Sequence, residues 1–514
     1  MIFATVNNNI LIHAGKILRV YEEPEEPQLP EKTLLFRFGN PDFDPTRDNN
    51  DNDAYNENVN KYGADIALLI YYKWTNPDYY GSNKFKWTRD TSYEGNVWLF
   101  KYNSTSWQTV FNSVFTEEAD TALTGTVEIL RGNLTGVTST RRLFANSNAA
   151  ISYIKIDKMP DVTDAYAMCQ INNYHSKLET IILPDLPNVT SISYMFNGCS
   201  AITVCIGNMP KVTSINDIFA NSTIKNITIG NLPSITTANN MFKSLSKLET
   251  VSIGDISQVT SANYMFNSCS NLKSVSKLNL PNVTSTVEMF SYCRALESIQ
   301  AFDLPAVKNT SKMFDYCIAL KAAPEINMPL VTNTSQMFMD CKSMESTPAY
   351  VMPNVTDING MYNGCTVLKT VPALDLSSVT IANSLFNNCT SLEEITLNNT
   401  GNIVNFAYMF SGCTSLKTVN AIDITKANSG NGCTRMFQGC IALTIIPTFI
   451  STGSIALSVY YMFEGCVNVA SGMLDFYNRY SGRVTSNDVH AFNNCGTNTE
   501  TGLAELAQIP DNWK

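Results

Sequence analysis

Apolar and polar positions recur along this chain in one fixed order. Residues 259–275, VTSANYMFNSCSNLKSV, run from Val-Thr through a polar stretch to a Met-Phe pair, then a cysteine, then a leucine and a valine. The same phrase returns as VTSTVEMFSYCRALESI and VKNTSKMFDYCIALKAA. The second position of the pair falls at Phe144, Cys169, Phe196, Phe219, Phe242, Phe266, Phe290, Phe314, Phe338, Tyr362, Phe386, Phe410, Phe437, Phe463 and Phe492. The intervals are 25, 27, 23 and 23 residues, then seven of 24, then 27, 26 and 29. A strict central period with looser ends predicts a stack of similar units closed by atypical terminal ones.

Residues 269–293 show what each unit contains. Leu272, Val275, Leu278 and Leu280 are the inward apolar positions, and the alternation of Lys277–Leu280 predicts a strand there. Pro281 ends ladder pairing, Val283 turns inward again, and Met289, Phe290 and Cys293 form a compact return. One unit cannot bury its apolar side alone, but stacked units cover one another. The expected fold class is a mainly β solenoid of about 15 rungs, roughly 70 Å long at ~4.8 Å per rung, with the Phe column as an internal aromatic stack.

Residues 1–126 break from this pattern. ADIALLIYYKW and NVWLFKY are short apolar runs among turn-formers, and Trp74, Trp87, Trp98 and Trp107 lie among them, which predicts a small β-rich domain. EEPEEPQLPEK reads as a stiff Pro/Glu linker. The expected division is an N-terminal arm over 1–21, the linker over 22–32, a β-rich anchoring domain over 33–126, the solenoid over 127–495 and a C-terminal cap over 496–514. The arm is suited to docking on a larger assembly, or equally to serve as an edge strand of the domain behind it. Asp48, Asp51 and Asp53 lie in DNNDNDAYNEN, which lacks the Gly and distal Glu of a calcium loop, so a polar loop is expected and no metal.

Composition narrows the function. Of 514 residues, 44% are apolar and only 16% charged, with a net charge of −10 and no Lys/Arg cluster, which excludes the footprint of a nucleic-acid binder or of a protein drawn to anionic membranes. No run approaches a membrane span. MIFATVNNNILIHAGKIL lacks a basic n-region and is interrupted by NNN, so synthesis in the cytoplasm without a Sec signal is expected. Three histidines, His13, His175 and His490, are scattered, and no G-x-S-x-G, Walker loop, dinucleotide fingerprint or H-E-x-x-H is present. The expectation is a non-enzymatic protein with no cofactor.

Eleven of the fourteen cysteines share one slot: Cys199, Cys269, Cys293, Cys317, Cys341, Cys365, Cys389, Cys413, Cys440, Cys466 and Cys495. An odd column has no natural pairing scheme, and Ser222 and Leu245 replace the thiol without disturbing the period. A ladder of buried free thiols is expected, suited to a reducing compartment, and zinc lacks the spacing and His ligands it needs.

A second column stands ten residues before each Met: Asn133, Lys158, Asp185, Asn208, Asn231, Asp255, Asn279, Asp303, Asn327, Val351, Asp375 and Asn399. Ten of the twelve are Asp or Asn. The column can be a solvated strand face, a hydrogen-bonded ladder, or a recognition stripe for sugar hydroxyls or a cationic partner. As a stripe its members are Asp185, Asn208, Asn231, Asp255, Asn279, Asp303, Asn327, Asp375 and Asn399. A Thr column, Thr190, Thr213, Thr236, Thr260, Thr284, Thr332, Thr356 and Thr380, suits a strand or extended corner.

VTSISYMFNGCSAIT, VTNTSQMFMDCKSM and IVNFAYMFSGCTSLKTV resemble the BspA-like leucine-rich repeats, in the variant written V-T-x-M-x-x-M-F-x-x-C-x-x-L, over about residues 127–495. The resemblance implies an adhesive surface module that binds matrix proteins, host cells or other microbes, with no catalytic residues to carry over. LLFRFGNPDFDPT through GNVWLFKYNSTSWQTVFNSVF also looks like sequence preceding such arrays in gut anaerobes and their bacteriophages. Together with the missing signal, this leads to an expected bacteriophage virion appendage, a head or tail fibre or decoration. Its N-terminal region would join the particle and its repeats would bind a host-surface glycan or protein. The alternatives are a bacterial cell-surface adhesin and a purely structural spacer. No coiled-coil heptads are present, and the oligomeric state stays open.

Overall fold

A computed structural model describes residues 10–13, 16–20, 28–39, 85–107, 127–145, 151–170, 178–428, 430–452, 456–484 and 489–514. Asp48, Asp51, Asp53, Trp74 and His175 lie outside the described residues. Ile10–His13 (β1) and Lys16–Val20 (β2) form an antiparallel pair.

The main sheet has ten strands. Val127–Asn133 (β6), Ile151–Lys155 (β7), Thr180–Leu183 (β8), Thr203–Ile206 (β9), Asn226–Ile229 (β10), Thr250–Ile253 (β11) and Ser274–Val275 (β12) lie side by side in parallel, one from each turn. Thr33–Phe38 (β3), Asn96–Tyr102 (β5) and Phe85–Arg89 (β4) extend it antiparallel beyond β6. The sheet therefore runs across position 126/127 without a break. Trp87, Trp98, Trp107 and Phe100 are buried in that N-terminal part, where they cover the first turn. The end of the Pro/Glu segment is tied to the first turns: Asn133 Nδ2 donates to Leu29 O (2.7 Å) and Lys158 Nζ to Gln28 Oε1 (2.8 Å).

In β8 to β10 the even-numbered or odd-numbered apolar positions are buried and their neighbours half-buried, the alternation of a strand with one face inward. The expected strand at Lys277–Leu280 is not formed; pairing stops at Val275. Leu278 and Leu280 still point into the core. Two features end the ladder. Ser276 Oγ takes the amide of Ile253 (3.0 Å), and the equivalent slot three, two and one turns before residue 396 holds Pro324, Pro348 and Pro372, which have no N–H to give. Beyond this point the strand face carries only two-stranded patches, such as Phe302–Asp303 (β13) with Ile326–Asn327 (β14).

The opposite side of each turn is a tight return held by three periodic contacts. Thirteen rings from Phe196 to Phe492, with Tyr362 among them, stack in one column; in its centre the centroids of Phe266, Phe290, Phe314 and Phe338 are 5.0–5.5 Å apart and their planes within 6°. The amide of each central Phe donates to the Met carbonyl of the next turn, as in Phe290 to Met313 and Phe314 to Met337 (both 2.8 Å). The thiols complete the set. From Cys269 to Cys466 each thiol of the column donates to the aromatic residue's carbonyl in the preceding turn, at 2.9–3.2 Å. Phe266 O, for example, accepts both the amide of Cys269 (3.1 Å) and the thiol of Cys293 (3.2 Å), so both lone pairs are used in a dry interior.

This is the reason for the recurring cysteine: a small apolar side chain carrying one weak donor at the place where a buried carbonyl needs a second. All fourteen thiols are free and only Cys205 is not fully buried. Burial pushes the thiols of Cys199, Cys269 and Cys433 up to about 12, far from the thiolate that redox chemistry requires.

Each return also contains two left-handed residues, one before the Met and one before the Cys, such as Glu288 and Tyr292, or Lys312 and Tyr316. The Thr column bonds between turns as well: in Thr260, Thr284 and Thr356 both the amide and the hydroxyl donate to a carbonyl one turn back. At the far end Met473–Tyr480 (α1) and Glu500–Leu506 (α2) close the stack, and Trp513 stacks on Phe492 at 6.1 Å. Among the described residues no helix is long and apolar enough to cross a membrane.

Candidate functional site

The Asp/Asn column lies on the strand face, at the end of each strand where the chain turns outward. Asp185, Asn231, Asn279, Asp303, Asn327, Asp375 and Asn399 are exposed, and Asn208 and Asp255 half-buried. The structure brings all nine into one row, but it gives them two different environments.

From Asp185 to Asp255 the column is a ladder. Asp185 Oδ1 accepts the amide and the Nδ2 of Asn208 (2.6 and 3.0 Å), Asn208 Oδ1 accepts the amide of Asn231 (2.9 Å), and Asn231 Oδ1 accepts the amide of Asp255 (2.8 Å). The residue before each acceptor's partner is glycine. A Cβ on Gly230 would stand 2.6 Å from the carbonyl carbon of Gly207 and 2.7 Å from the amide of Asn208. Gly-Asn or Gly-Asp is thus required for the turns to approach closely enough for side chain to reach backbone. The Asp/Asn column alone leaves a hydrogen-bonded ladder as one of three alternatives, and the thrice-repeated Gly-Asn/Asp is the sequence signal that singles it out here.

Further along, the column is free. Asn279, Asp303 and Asn327 make no side-chain hydrogen bond, and Asp303 no ion pair, among the described residues. At Asp375 contacts resume: the Nδ2 of Asn399 (2.9 Å) and the amide of Ser377 (3.1 Å) donate to its carboxylate and hold it below the ordinary carboxylate range. Between these two regions Val351 takes the column position and is 77% exposed, more than any other large apolar side chain described. A groove of about 500 Å³ opens here on the strand face, bordered by Asp303, Asn327 and Val351.

Charged groups in a neighbouring register are paired, turn to turn: Lys273 with Glu249 (2.7 Å), Lys321 with Glu297 (2.5 Å) and Lys417 with Glu393 (2.6 Å). These exposed pairs add little stability. The groove's carboxylates, Asp303 and Glu325, have no such partner among the described residues.

On the return side one residue departs from its column. The position after the Phe holds Asn267, Ser291 and Asp315, all buried, and Asp315 is only 4% exposed with Oδ1 lacking a partner. Desolvation raises its carboxyl to about 7 against the opposing pull of Lys312, with Asp340 and Glu288 adding to the rise. A folded-state value above the unfolded one means that the folded state binds the proton more tightly. The stability it contributes is full below about pH 4 and is lost as pH rises through about 7. Asp315→Asn, which places in this slot the residue already present at 267, should therefore leave stability at pH 4 unchanged. At pH 8 it should stabilise the array by about 2 kcal/mol, a figure discounted for screening by solvent and Lys312. Urea unfolding at the two pH values measures this.

The parallel turns, the inward Leu, Val and Ile positions and the hydrogen-bonded return define a solenoid of the leucine-rich-repeat class. Residues 163–273, 236–352, 332–448 and 356–475 match the family described as "Mycoplasma protein of unknown function, DUF285". These segments together span more than half of the chain, which belongs to that family. Solved structures similar in fold include a leucine-rich repeat protein of Bacteroides ovatus (19% identity, 68% of this chain and 90% of that one, TM-score 0.37). Another is from Eubacterium ventriosum (20% identity, 67% and 78%, TM-score 0.29). A third is the TLR13–ssRNA13 complex (14% identity, 66% and 59%, TM-score 0.20). No curated protein matches the chain.

Proposed function

We propose that this protein is a recognition module whose strand face binds a partner on a cell surface. The observation that carries this reading is the row of nine Asp and Asn side chains from Asp185 to Asn399, seven of them exposed, on a scaffold whose interior is filled by stacked rings and thiols. A rigid backbone fixes the spacing of those groups at one per turn, so a ligand meets them without an ordering cost. The Thr, Phe and Cys columns are spent on contacts between turns, as is one side-chain oxygen of each rung from Asp185 to Asn231, whereas the side chains of Asn279, Asp303 and Asn327 are free of such contacts among the described residues.

Substituting Asp185, Asp255 and Asp375 together by Asn keeps a side-chain oxygen to accept each backbone amide while removing three charges. The expected result is an unchanged melting temperature and attachment of the full-length protein to intact bacterial cells weakened about tenfold, read by flow cytometry. Equal attachment by variant and parent would remove the acidic column from the recognition surface.

In its finer form the proposal places the protein on a bacteriophage particle, as a fibre or decoration joined through its N-terminal region. The fourteen free thiols support assembly in a reducing interior followed by release on lysis. A family described from Mycoplasma favours the second reading, display on a bacterial cell. Peptide mass spectrometry separates them: this chain in purified particles supports the first, and its presence only on washed membranes of uninfected cells supports the second.

A further inference from the structure

The groove on the strand face lies at one of the places where consecutive turns are not joined by backbone bonds. Other turns of this face are joined by backbone bonds, as from Leu304 N to Asn327 O (2.9 Å) and from Leu376 N to Asn398 O (2.9 Å). Between residues 324–330 and 348–353 no backbone hydrogen bond is made. The two links across this gap use side chains: Tyr350 Oη donates to Pro324 O (2.7 Å) and Asn354 Nδ2 to Pro329 O (3.0 Å). β14 is therefore paired with β13 on one edge only.

The cause is local. Pro348 has no amide to give to the preceding turn, as Ser276 gives its own to Val251 O, and Tyr350 fills the inward slot with its ring stacked on Phe338 at 6.2 Å. Ala301 and Ala349, small and exposed, keep the groove open. Asp303 and Glu325 line it without an ion-pair partner among the described residues, with Lys277 as the one cation among its lining residues.

We propose that this groove is the docking site for an extended polypeptide segment bearing a lysine or arginine. The segment's backbone would meet the open edge of β14, its cation would lie against Asp303 and Glu325, and an apolar side chain would cover Val351. The inference rests on the strand face being the recognising surface and names its occupant and place. Strand addition to an open edge supplies affinity through main-chain bonds and specificity through alternate side chains. The two unneutralised carboxylates select a cation, best an arginine held by both oxygens. A peptide is favoured over a sugar because the rings beneath the groove, Phe302 and Tyr350, are turned into the core and present no open face for stacking.

The test uses the full chain and fluorescein-labelled decapeptide pools, each randomised except for a central Lys, Arg, Glu or Ser. The Lys and Arg pools should bind more tightly than the Ser pool, and the Glu pool more weakly. Asp303→Asn with Glu325→Gln should weaken the basic pools at least tenfold, and Ala349→Trp should block all pools by filling the groove. Glu297→Gln with Glu393→Gln, which removes carboxylates already paired with lysines elsewhere, should change nothing. Equal binding of all four pools, or basic-pool binding unaffected by both groove variants, overturns the proposal. So does binding on a glycan array that the same variants abolish, since the groove would then take a sugar. If the groove variants are silent while the variant at Asp185, Asp255 and Asp375 still loses attachment, the groove assignment fails and the strand-face reading stands. If both are silent, the strand-face reading fails too.

Discussion

Phe314→Ala should destabilise the centre of the array by about 3–5 kcal/mol, the range for truncating a fully buried aromatic side chain. Its ring lies between Phe290 at 5.3 Å and Phe338 at 5.5 Å, with planes parallel to within 3° on both sides. The cavity would therefore strip contacts from two other turns. It would also loosen the carbonyl of residue 314, which accepts both the amide of Cys317 and the thiol of Cys341. Because each turn touches only its neighbours, the damage should stay local. Hydrogen exchange should show amides from about Phe290 to Phe338 losing protection while those near Phe196 and Phe463 keep theirs. Uniform loss along the chain would mean that the array behaves as one cooperative block.

Gly230→Ala should cost about 3 kcal/mol although it adds a single methyl group, because that methyl meets backbone on the neighbouring turn and no side chain can give way. The turns bearing Gly207 and Gly230 would have to part, and the bond from Asn231 N to Asn208 Oδ1 would break with them. Thermal unfolding should show a lowered midpoint, and exchange should rise in β9 and β10. Gly482→Ala, where nothing lies within 4 Å, is the matched control and should leave the midpoint unchanged.

Both effects arise from columns that sequence alone displays well. A residue type that returns every 24 positions must meet its own copy in the next turn, so Phe290 and Cys293 could be assigned to an interior stack from spacing alone. What spacing does not reveal is the partner across the turn. The thiol's bond to the carbonyl one turn back, the hydroxyl of Thr284 bonded to Thr260 O, and the ladder from Asp185 to Asp255 all depend on a turn-to-turn distance that only the fold sets. The strand expected at Lys277–Leu280 failed for a related reason. Alternation fixes which side chains face inward, whereas pairing needs donors on both neighbours, and Ser276 and the later prolines withdraw them.

The candidate site was legible to a similar degree. The Asp/Asn row and its interruption at Val351 can be read from the chain, but the groove beside Val351 comes from Pro348, Tyr350 and two small alanines acting together. Asp315 gave no signal, because in the sequence it is one polar residue among Asn267 and Ser291, and its burial is set by the turns on either side. In the N-terminal region, the tryptophans announced β structure but not that β3, β4 and β5 would join the sheet of the solenoid.

The central claim is that each repeat's aromatic ring and thiol are spent on its neighbour, leaving the strand face to recognise a partner. Thiol titration of the folded, full-length protein with a chromogenic disulfide reagent, before and after unfolding in guanidinium without reductant, tests this most directly. The account predicts prompt reaction of at most one thiol, the half-buried Cys205, in the folded protein and of all fourteen after unfolding. Several promptly reactive thiols in the folded protein, or fewer than fourteen after unfolding, would show that the column is open or disulfide-bonded and would contradict it.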